Sequence, residues 1–264
     1  MPEPLLADSV TRLGPEAVGR VVITGSHGGV FAAFMARKAE CRAAIFHDAG
    51  VGLDDAGIGG LDWLAAQGMA AAAVDHHSAP IGEAAVMQAR GVISHANAPA
   101  LELGVHPGMG CAQAAGLLQV APPHGGDCPD LQEARHETTP VPGGRRLILV
   151  DSASLVQAAD AGQVVVTGSH GAVFGGNAAN ALKVDAWLAL FNDAGGAATS
   201  RLPVLQGRGI AAATVAAASA RIGDARSTWQ DGVISAFNLA AAALGAHKGM
   251  AARDLVAAAL VPET

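Results

Sequence analysis

The chain has 264 residues, of which 51% are hydrophobic and 15% charged, so it is long and apolar enough to bury a substantial core. Its formal net charge of −7, with six Phe, three Trp and no Tyr, argues against a nucleic-acid-binding surface, which needs basic stripes and aromatic stacking platforms. Three isolated cysteines without CxxC spacing predict neither a disulfide framework nor a thiolate zinc site; they are Cys41, Cys111 and Cys128.

The amino-terminal segment Met1-Pro2-Glu3-Pro4 lacks a cationic stretch followed by an apolar one, so no signal peptide is predicted. Long uncharged stretches such as 232–247 are Ala-rich and contain polar residues, which is typical of packed helices rather than membrane spans. The sequence therefore predicts a cytoplasmic protein that contacts no membrane.

Short β-branched or Ala/Val runs alternate with Ala/Leu-rich segments along each half of the chain. The predicted strands end in Asp-Ser, in Thr-Gly, in Asp-Ala-Gly and in a turn that contains Ser. Each is predicted to be followed by a helix, where apolar residues recur at three- and four-residue spacing, as in 62–67 and 232–244. Between the halves, the segment 121–146 is rich in Pro, Gly and charged residues and is predicted to be a linker.

The second half of the chain repeats the motifs of the first half in the same order. The sequence TGSHG at 24–28 returns at 167–171, and each copy follows a β-branched strand. The other matched segments are 5–9 with 148–152, 45–50 with 190–195, 78–83 with 219–224, 91–94 with 232–235, and 106–109 with 247–250. So many matches in one order indicate an internal duplication.

Strands that alternate with helices predict an α/β fold with a mostly parallel sheet, because parallel strands need crossover connections. We expect two Rossmann-like halves related by a pseudo-two-fold axis, with a first repeat at 1–120, a linker at 121–146 and a second repeat at 147–264. Eight strand-helix units in about 250 residues also fit a single (β/α)8 barrel, which is the alternative fold. In either fold, the turns after the strands carry the ligand.

The two TGSHG turns are predicted to cradle an anionic group. Their glycines allow backbone N–H groups to point toward a ligand at the start of the next helix, where the helix dipole favours negative charge. Ser and His add a hydroxyl and an imidazole; the alternative is that Thr and Ser only cap a helix. The residues are Thr24, Gly25, Ser26, His27 and Gly28 in the first copy, and Thr167, Gly168, Ser169, His170 and Gly171 in the second.

Asp48 and Asp193 follow the third predicted strand of each half, next to the strand that carries TGSHG. A carboxylate in this position orients an imidazole and stabilises its cationic form, which makes histidine an effective general base. We therefore predict a His-Asp pair in each half: His27 with Asp48, and His170 with Asp193. Capping of the next helix by each Asp is the alternative.

The two halves differ in the groups that surround these motifs. His47 aligns with Asn192, and Asp75-His76-His77 aligns with three alanines, Ala216-Ala217-Ala218. The second half instead supplies the basic residues Arg201, Arg208, Arg221 and Arg226, with Lys183 and Lys248. One explanation is that the first half provides the acid-base or metal-binding groups; the alternative is that surface residues drifted after duplication.

Three residues after the fourth predicted strands are expected to contact substrate. Arg221 takes the position of Pro80 in the first half and is predicted to clamp a carboxylate of the substrate. Ser78 and Ser219 lie at matching positions of the same turns.

The sequence Asp75-His76-His77 directly after a predicted strand resembles the third motif of the DHH-family phosphoesterases, which hold two manganese ions. His27 and Asp48 map onto an earlier His and Asp of that family. The paired Asp residues that the family has after its first His are absent, since Gly28 and Gly29 follow His27 here. The resemblance implies a divalent metal as an alternative, and a single zinc or manganese ion has acceptable ligands in His47, Asp75, His76 and His77.

We expect an enzyme: a small-molecule hydrolase acting on an amide, cyclic amide or related carbonyl compound that carries negative charge. The TGSHG backbone N–H groups, with Ser26 and Ser169, would stabilise the developing oxyanion, and both turns would border one cavity. The alternatives are a metal-dependent phosphoesterase, a lyase or isomerase that transfers a proton, and a non-enzymatic binder of small anions. No organic cofactor is required. The expected partners are a small anionic or polar substrate and, in a homo-oligomer, further copies of the chain.

Overall fold

A computed structural model describes residues 3–123 and 127–261. This part of the chain divides into two compact units. The first comprises the described residues within 1–51, 55–132 and 174–176, and the second those within 52–54, 133–173 and 177–264. Each unit is an α/β structure with its own sheet, as the alternation of strand and helix patterns predicted.

The first unit contains a five-stranded sheet. Its strands are β1 (Leu5–Ala7), β2 (Val21–His27), β3 (Ala43–His47), β4 (Ala70–Val74) and β5 (Ile93–Ala96). They lie in the sheet in chain order. Strands β1 to β4 are parallel, and β5 runs antiparallel to β4 at the edge.

Helices cover both faces of the first sheet. They are α1 (Val30–Lys38), α2 (Gly59–Ala66), α3 (Ala84–Arg90), α4 (Ala98–Glu102) and α5 (Cys111–Leu118). Alternate strand residues face opposite sides, so Val22 and Phe46 pack with α1 and α2, whereas Ile23 and Ile45 pack with α3, α4 and α5. Burial on both faces explains why the central strands are apolar throughout.

The second unit contains a six-stranded sheet. Its strands are β6 (Arg135–Thr138), β7 (Leu147–Val150), β8 (Val164–His170), β9 (Leu188–Asn192), β10 (Ala211–Val215) and β11 (Ile234–Phe237). They lie in the sheet in chain order, with β7 to β10 parallel and the two edge strands antiparallel to their neighbours. The helices are α6 (Arg201–Gly207), α7 (Ala225–Gln230), α8 (Leu239–Ala243) and α9 (Ala252–Leu260).

The described strands therefore form two mostly parallel sheets, and the alternative of a single (β/α)8 barrel would have required one closed sheet. Two other expectations differ from the structure. Part of the segment 121–146, predicted to be a linker, forms β6 and pairs with β7. The predicted helix 232–244 is instead β11 followed by α8, because Asn238 caps the helix there by accepting a hydrogen bond from the amide of Ala241.

Three of the predicted strands are not followed by an α-helix. After β1 and after β7 the chain forms short 3-10 turns, at 10–12 and 15–17 and at 153–155 and 158–160. Between β8 and β9 it again forms 3-10 turns, at 174–176 and 178–180, where Gly175 and Gly176 have positive φ. In that region the buried guanidinium of Arg201 donates to the carbonyls of Ala172 and Ala181.

One buried asparagine plays the same role in each unit. The Asn97 carboxamide accepts from the amides of Ala71 and Ala100 and donates to the carbonyls of Leu61 and Met69. The Asn238 carboxamide makes the same four bonds to the corresponding residues, which are Ala212, Ala241, Leu202 and Ile210. Each side chain thereby ties the fourth parallel strand to two helices, with its hydrogen-bonding capacity fully used.

No helix within residues 3–123 and 127–261 has the length and apolar character that crossing a membrane requires.

Candidate active site

The carboxyl ends of β2, β3 and β4 bring the histidine-rich motifs of the first unit to one edge of its sheet. His27 is the last residue of β2, Asp48 follows β3, and Asp75 follows β4. In the strand register, His27 lies beside His47, and His47 lies beside Val74. This edge is where ligands bind in open parallel sheets.

The hydroxyl groups of the two TGSHG turns have structural partners. The Ser26 hydroxyl oxygen accepts from the amide of Val10 at 3.0 Å, and the Ser169 hydroxyl oxygen accepts from the amide of Ala153 at 2.9 Å. Thr24 and Thr167 are fully buried in their strands. These four residues were predicted to stabilise an oxyanion or bind substrate; in the structure the two serines attach the 3-10 turns, and the two threonines lie in the core.

The glycines of the TGSHG turns are needed for close backbone packing. A Cβ on Gly25 would lie 2.7 Å from backbone atoms of Asp8 and Gly82, and a Cβ on Gly168 would lie 2.5 Å from the amide nitrogen of Asp224. The amides of Gly28 and Gly171 donate to the carbonyls of the neighbouring strand. The amides of Gly28 and Gly171 are therefore not among the outward-pointing N–H groups of the predicted cradle.

His27 is held as a hydrogen-bond donor. Its Nδ1 accepts from the amide of Gly29 at 3.1 Å, so in the neutral ring the proton lies on Nε2. Burial of the ring, together with repulsion from His47, lowers the pKa of His27 to about 4. At neutral pH the side chain is therefore an uncharged Nε2–H donor rather than the base that the sequence predicted. The amide of Ala172 makes the matching bond to Nδ1 of His170 at 3.3 Å.

Asp48 pairs with His76. One carboxylate oxygen, Oδ1, accepts from the amide of Gly50 at 2.9 Å, from the amide of His76 at 3.0 Å and from Nδ1 of His76 at 3.0 Å. The Asp48 side chain is 3% exposed and that of His76 is 19% exposed. None of the hydrogen bonds of Asp48 reaches His27, so the orienting carboxylate and the imidazole are present but the predicted pairing differs.

Asp75 and His77 flank this pair. Oδ1 of Asp75 lies 3.4 Å from Nδ1 of His76 and accepts from the amide of His77 at 2.8 Å. The rings of His76 and His77 are 3.8 Å apart between centroids. One potential ligand atom from each of the three side chains lies within 4.8 Å of the others. Among the described residues, this is the only group of three such side chains close enough to hold one metal ion.

His47, predicted to be a metal ligand, has both ring nitrogens engaged within the protein. Its Nδ1 accepts from the amide of Ala49 at 3.0 Å, and its Nε2 lies 2.9 Å from the carbonyl oxygen of Ala79. The side chain is buried, and burial lowers the pKa of His47. A neutral ring with the proton on Nε2 satisfies both bonds, which leaves no nitrogen for a metal ion.

The second unit builds the same turns without imidazoles. Oδ1 of Asp193 accepts from the amides of Gly195 and Ala217, just as Asp48 accepts from Gly50 and His76. The hydroxyls of Ser78 and Ser219, predicted to bind substrate, each donate to a carbonyl three residues back, at 2.7 Å, and accept from an amide of the next strand segment, at 2.9 Å. The turn therefore needs Asp and Ser but not Asp-His-His.

Arg221, the predicted substrate clamp, has carboxylate partners in the protein. Its guanidinium contacts Asp54 at 2.7 Å and Asp224 at 3.3 Å, with Asp231 at 3.9 Å. These carboxylates raise the pKa of Arg221 above its usual value. The guanidinium is thus already neutralised.

The turn after β3 has an unusual backbone. Ala49, Gly50, Val51 and Gly52 all have positive φ, between 51° and 77°. A β-branched residue such as Val51 rarely adopts this conformation, and such outliers persist where the surrounding structure holds them. Here His47 and Asp48 hold the turn through the amides of Ala49 and Gly50.

Comparison of the chain with protein-family models, with curated proteins and with solved structures gives no match.

Proposed function

We propose that the chain is a small-molecule hydrolase that acts on an amide, cyclic amide or related carbonyl compound, with its chemistry in the first unit. The observation that carries the proposal is the bond between buried Asp48 and Nδ1 of partly exposed His76. With Nδ1 donating to Asp48, Nε2 of His76 is left as the basic nitrogen, and the carboxylate stabilises the cation that forms when the ring takes up a proton.

In this mechanism His76 activates water. Its Nε2 takes a proton from the water molecule as the oxygen attacks the carbonyl carbon, and Asp48 holds the resulting imidazolium. The same proton then passes to the departing nitrogen as the C–N bond breaks, which leaves a carboxylic acid and an amine and restores neutral His76. His27, neutral with its proton on Nε2, is suited to donate to the oxyanion.

The comparison between units supports this assignment. The second unit keeps the Asp193 bonds and the serine bonds of the turn, with Ala217 at the position of His76. We infer that the units arose by duplication, which is supported by their matching strand orders and by the matching bonds of Asn97 and Asn238. Asp75, His76 and His77 are then additions that the scaffold does not need.

Substrate charge is a separate part of the proposal. Because Arg221 pairs with Asp54 and Asp224, we do not propose that it binds a negatively charged group of the substrate. Turnover should be measured with a panel of linear and cyclic amides, each with and without a carboxylate.

The decisive variants are H76Q and its neighbour control H77Q. We expect H76Q to lower kcat by about 1000-fold, the range of acid-base catalysis, because glutamine neither takes up the proton nor releases it. H77Q should change kcat by less than about tenfold. Full activity in H76Q would exclude His76 as the base.

A metal-dependent phosphoesterase is the second candidate, and the proximity of potential ligand atoms in Asp75, His76 and His77 favours it. Zinc and manganese both accept imidazole and carboxylate ligands. In that enzyme His76 would be a ligand oriented by Asp48, and H77Q would be as damaging as H76Q. Metal content of the purified protein, and turnover of phosphate esters before and after chelation, separate the two candidates.

A further inference from the structure

We propose that His47 is a positioning residue that holds the Asp48 and His76 turns in register, and that it does so as a neutral two-ended hydrogen-bonding group equivalent to the Asn192 carboxamide. The inference deepens the proposed function, because it concerns the pair that function depends on. It assigns His47 neither to the metal nor to proton transfer.

The two contacts of His47 lie on the two turns that form the pair. Its Nδ1 fixes the amide of Ala49, the residue directly after Asp48, and its Nε2 fixes the carbonyl of Ala79, three residues after His76. His47 is 1% exposed, so water does not replace either bond. One side chain therefore ties the end of β3 to both turns.

The second unit supplies the control for this interpretation. The Asn192 oxygen accepts from the amide of Ala194 at 2.9 Å, and its nitrogen donates to the carbonyl of Ala220 at 3.0 Å. The donor, the acceptor and the two corresponding backbone partners are the same as for His47. A carboxamide and a neutral imidazole each offer one acceptor and a donor, which explains how either residue closes the turn.

Positioning matters because the Asp48–His76 bond depends on both turns. Oδ1 of Asp48 also accepts from the amides of Gly50 and His76, so a shift of the His76 turn changes two of its three bonds at once. Loss of the ring at position 47 would leave the Ala49 amide and the Ala79 carbonyl without partners in a buried site, and the turns would have to move to regain them. His76 would then lose the acceptor that fixes its proton on Nδ1.

The test reads the tautomer of His76 directly, without a substrate. Protein labelled with 15N-histidine is studied at pH 8 by long-range proton-nitrogen correlation, with the His76 signals assigned by their loss in H76Q. We expect the Nδ1–H tautomer in the wild type and in H47N, and a population dominated by Nε2–H in H47A. D48A, which leaves no side-chain acceptor at this position, serves as the control for loss of the acceptor.

Retention of the Nδ1–H tautomer in H47A would overturn the inference. Should H47A not fold, H47N and the reciprocal variant N192H decide it: both should fold, and H47N should keep the tautomer. A misfolded H47N, or one in which His76 carries its proton on Nε2, would equally overturn it. Absence of the Nδ1–H tautomer in the wild type would instead count against the Asp48–His76 pair of the proposed function, so the two failures are distinguishable.

Discussion

The turn after β4 and the turn after β10 use the same scaffold and differ in their chemistry. In both, an aspartate at the end of the third strand accepts from a backbone amide of the turn, and a serine hydroxyl bridges the turn to the next strand segment. The first turn carries Asp75, His76 and His77, and the second carries alanines. The difference separates the residues that both turns share from those that only the first turn carries.

The same comparison explains His47. Had only the first unit been considered, a buried histidine beside other histidines would be taken for a metal ligand. Asn192 makes the same two bonds where no cluster exists, so the bonds of His47 are part of the scaffold. Two units with matching turns thus provide an internal control for assigning roles.

The largest expected effect comes from the shared scaffold itself. N97A and N238A each remove a carboxamide that makes four buried bonds, so two amides and two carbonyls lose this partner. At about 1 kcal/mol or more for each group, each variant should lower the free energy of unfolding by about 4 kcal/mol. Urea titration of both variants checks this prediction. A loss of stability in only one of the two variants would show that Asn97 and Asn238 do not play the same role.

A smaller effect is expected from His27 as the pH falls. Its pKa of about 4 in the folded protein lies below the value of 6.5 in the unfolded chain, so the unfolded chain binds the proton first. The contribution of His27 to the free energy of unfolding is therefore fully present above about pH 6.5. It falls by about 2 to 3 kcal/mol as the pH is lowered toward 4. Urea titrations at pH 7.5 and pH 4 measure the loss.

H27N is the matched variant for this pH effect, because the Asn oxygen can still accept from the amide of Gly29. The part of the acid destabilisation that His27 causes should disappear in H27N. An identical loss of stability in H27N and in the wild type would show that other groups cause it.

The smallest effect concerns the left-handed turns after β3 and β9. Val51 has a φ of 61°, and the aligned residue Gly196 has a φ of 102°. Glycine tolerates this conformation better than any residue with a Cβ, by about 1 kcal/mol. V51G should therefore be more stable than V51A by about that amount, and G196A should be less stable than the wild type. Thermal unfolding of the three variants checks the sign, and equal stability of V51G and V51A would contradict the strain assigned to this turn.

Much of the fold followed from the sequence because its signals are local. The β-branched runs, the Asp and Ser residues at their ends and the matched order of motifs predicted the parallel strands and placed His27, Asp48 and Asp75 at strand ends. The antiparallel strand β6 and the 3-10 turns at 174–180 were missed. Pairing of β6 with β7 is a tertiary contact, and the positive φ of Gly175 and Gly176 leaves no periodic pattern.

The partners of the candidate site residues were less predictable. The left-handed turn at 49–52 and the path of the chain after β4 decide which imidazole contacts Asp48. Neither can be predicted from the spacing of the motifs along the sequence. Ser26 was assigned to an oxyanion because its partner, the amide of Val10, lies sixteen residues away in sequence. A usable signal did exist for His76: the second unit has alanine there, whereas it keeps Asp193 and Ser219.

The most direct test of the central claim, that Asp75, His76 and His77 are additions to a scaffold that does not need them, is the free energy of unfolding of the triple variant D75A/H76A/H77A. This variant copies the Ala216-Ala217-Ala218 turn of the second unit. Because Asp48 keeps its bonds to the backbone amides of residues 50 and 76, we predict a value within about 1 kcal/mol of the wild type. A loss of about 3 kcal/mol or more would show that the cluster holds the first unit together and would contradict the claim.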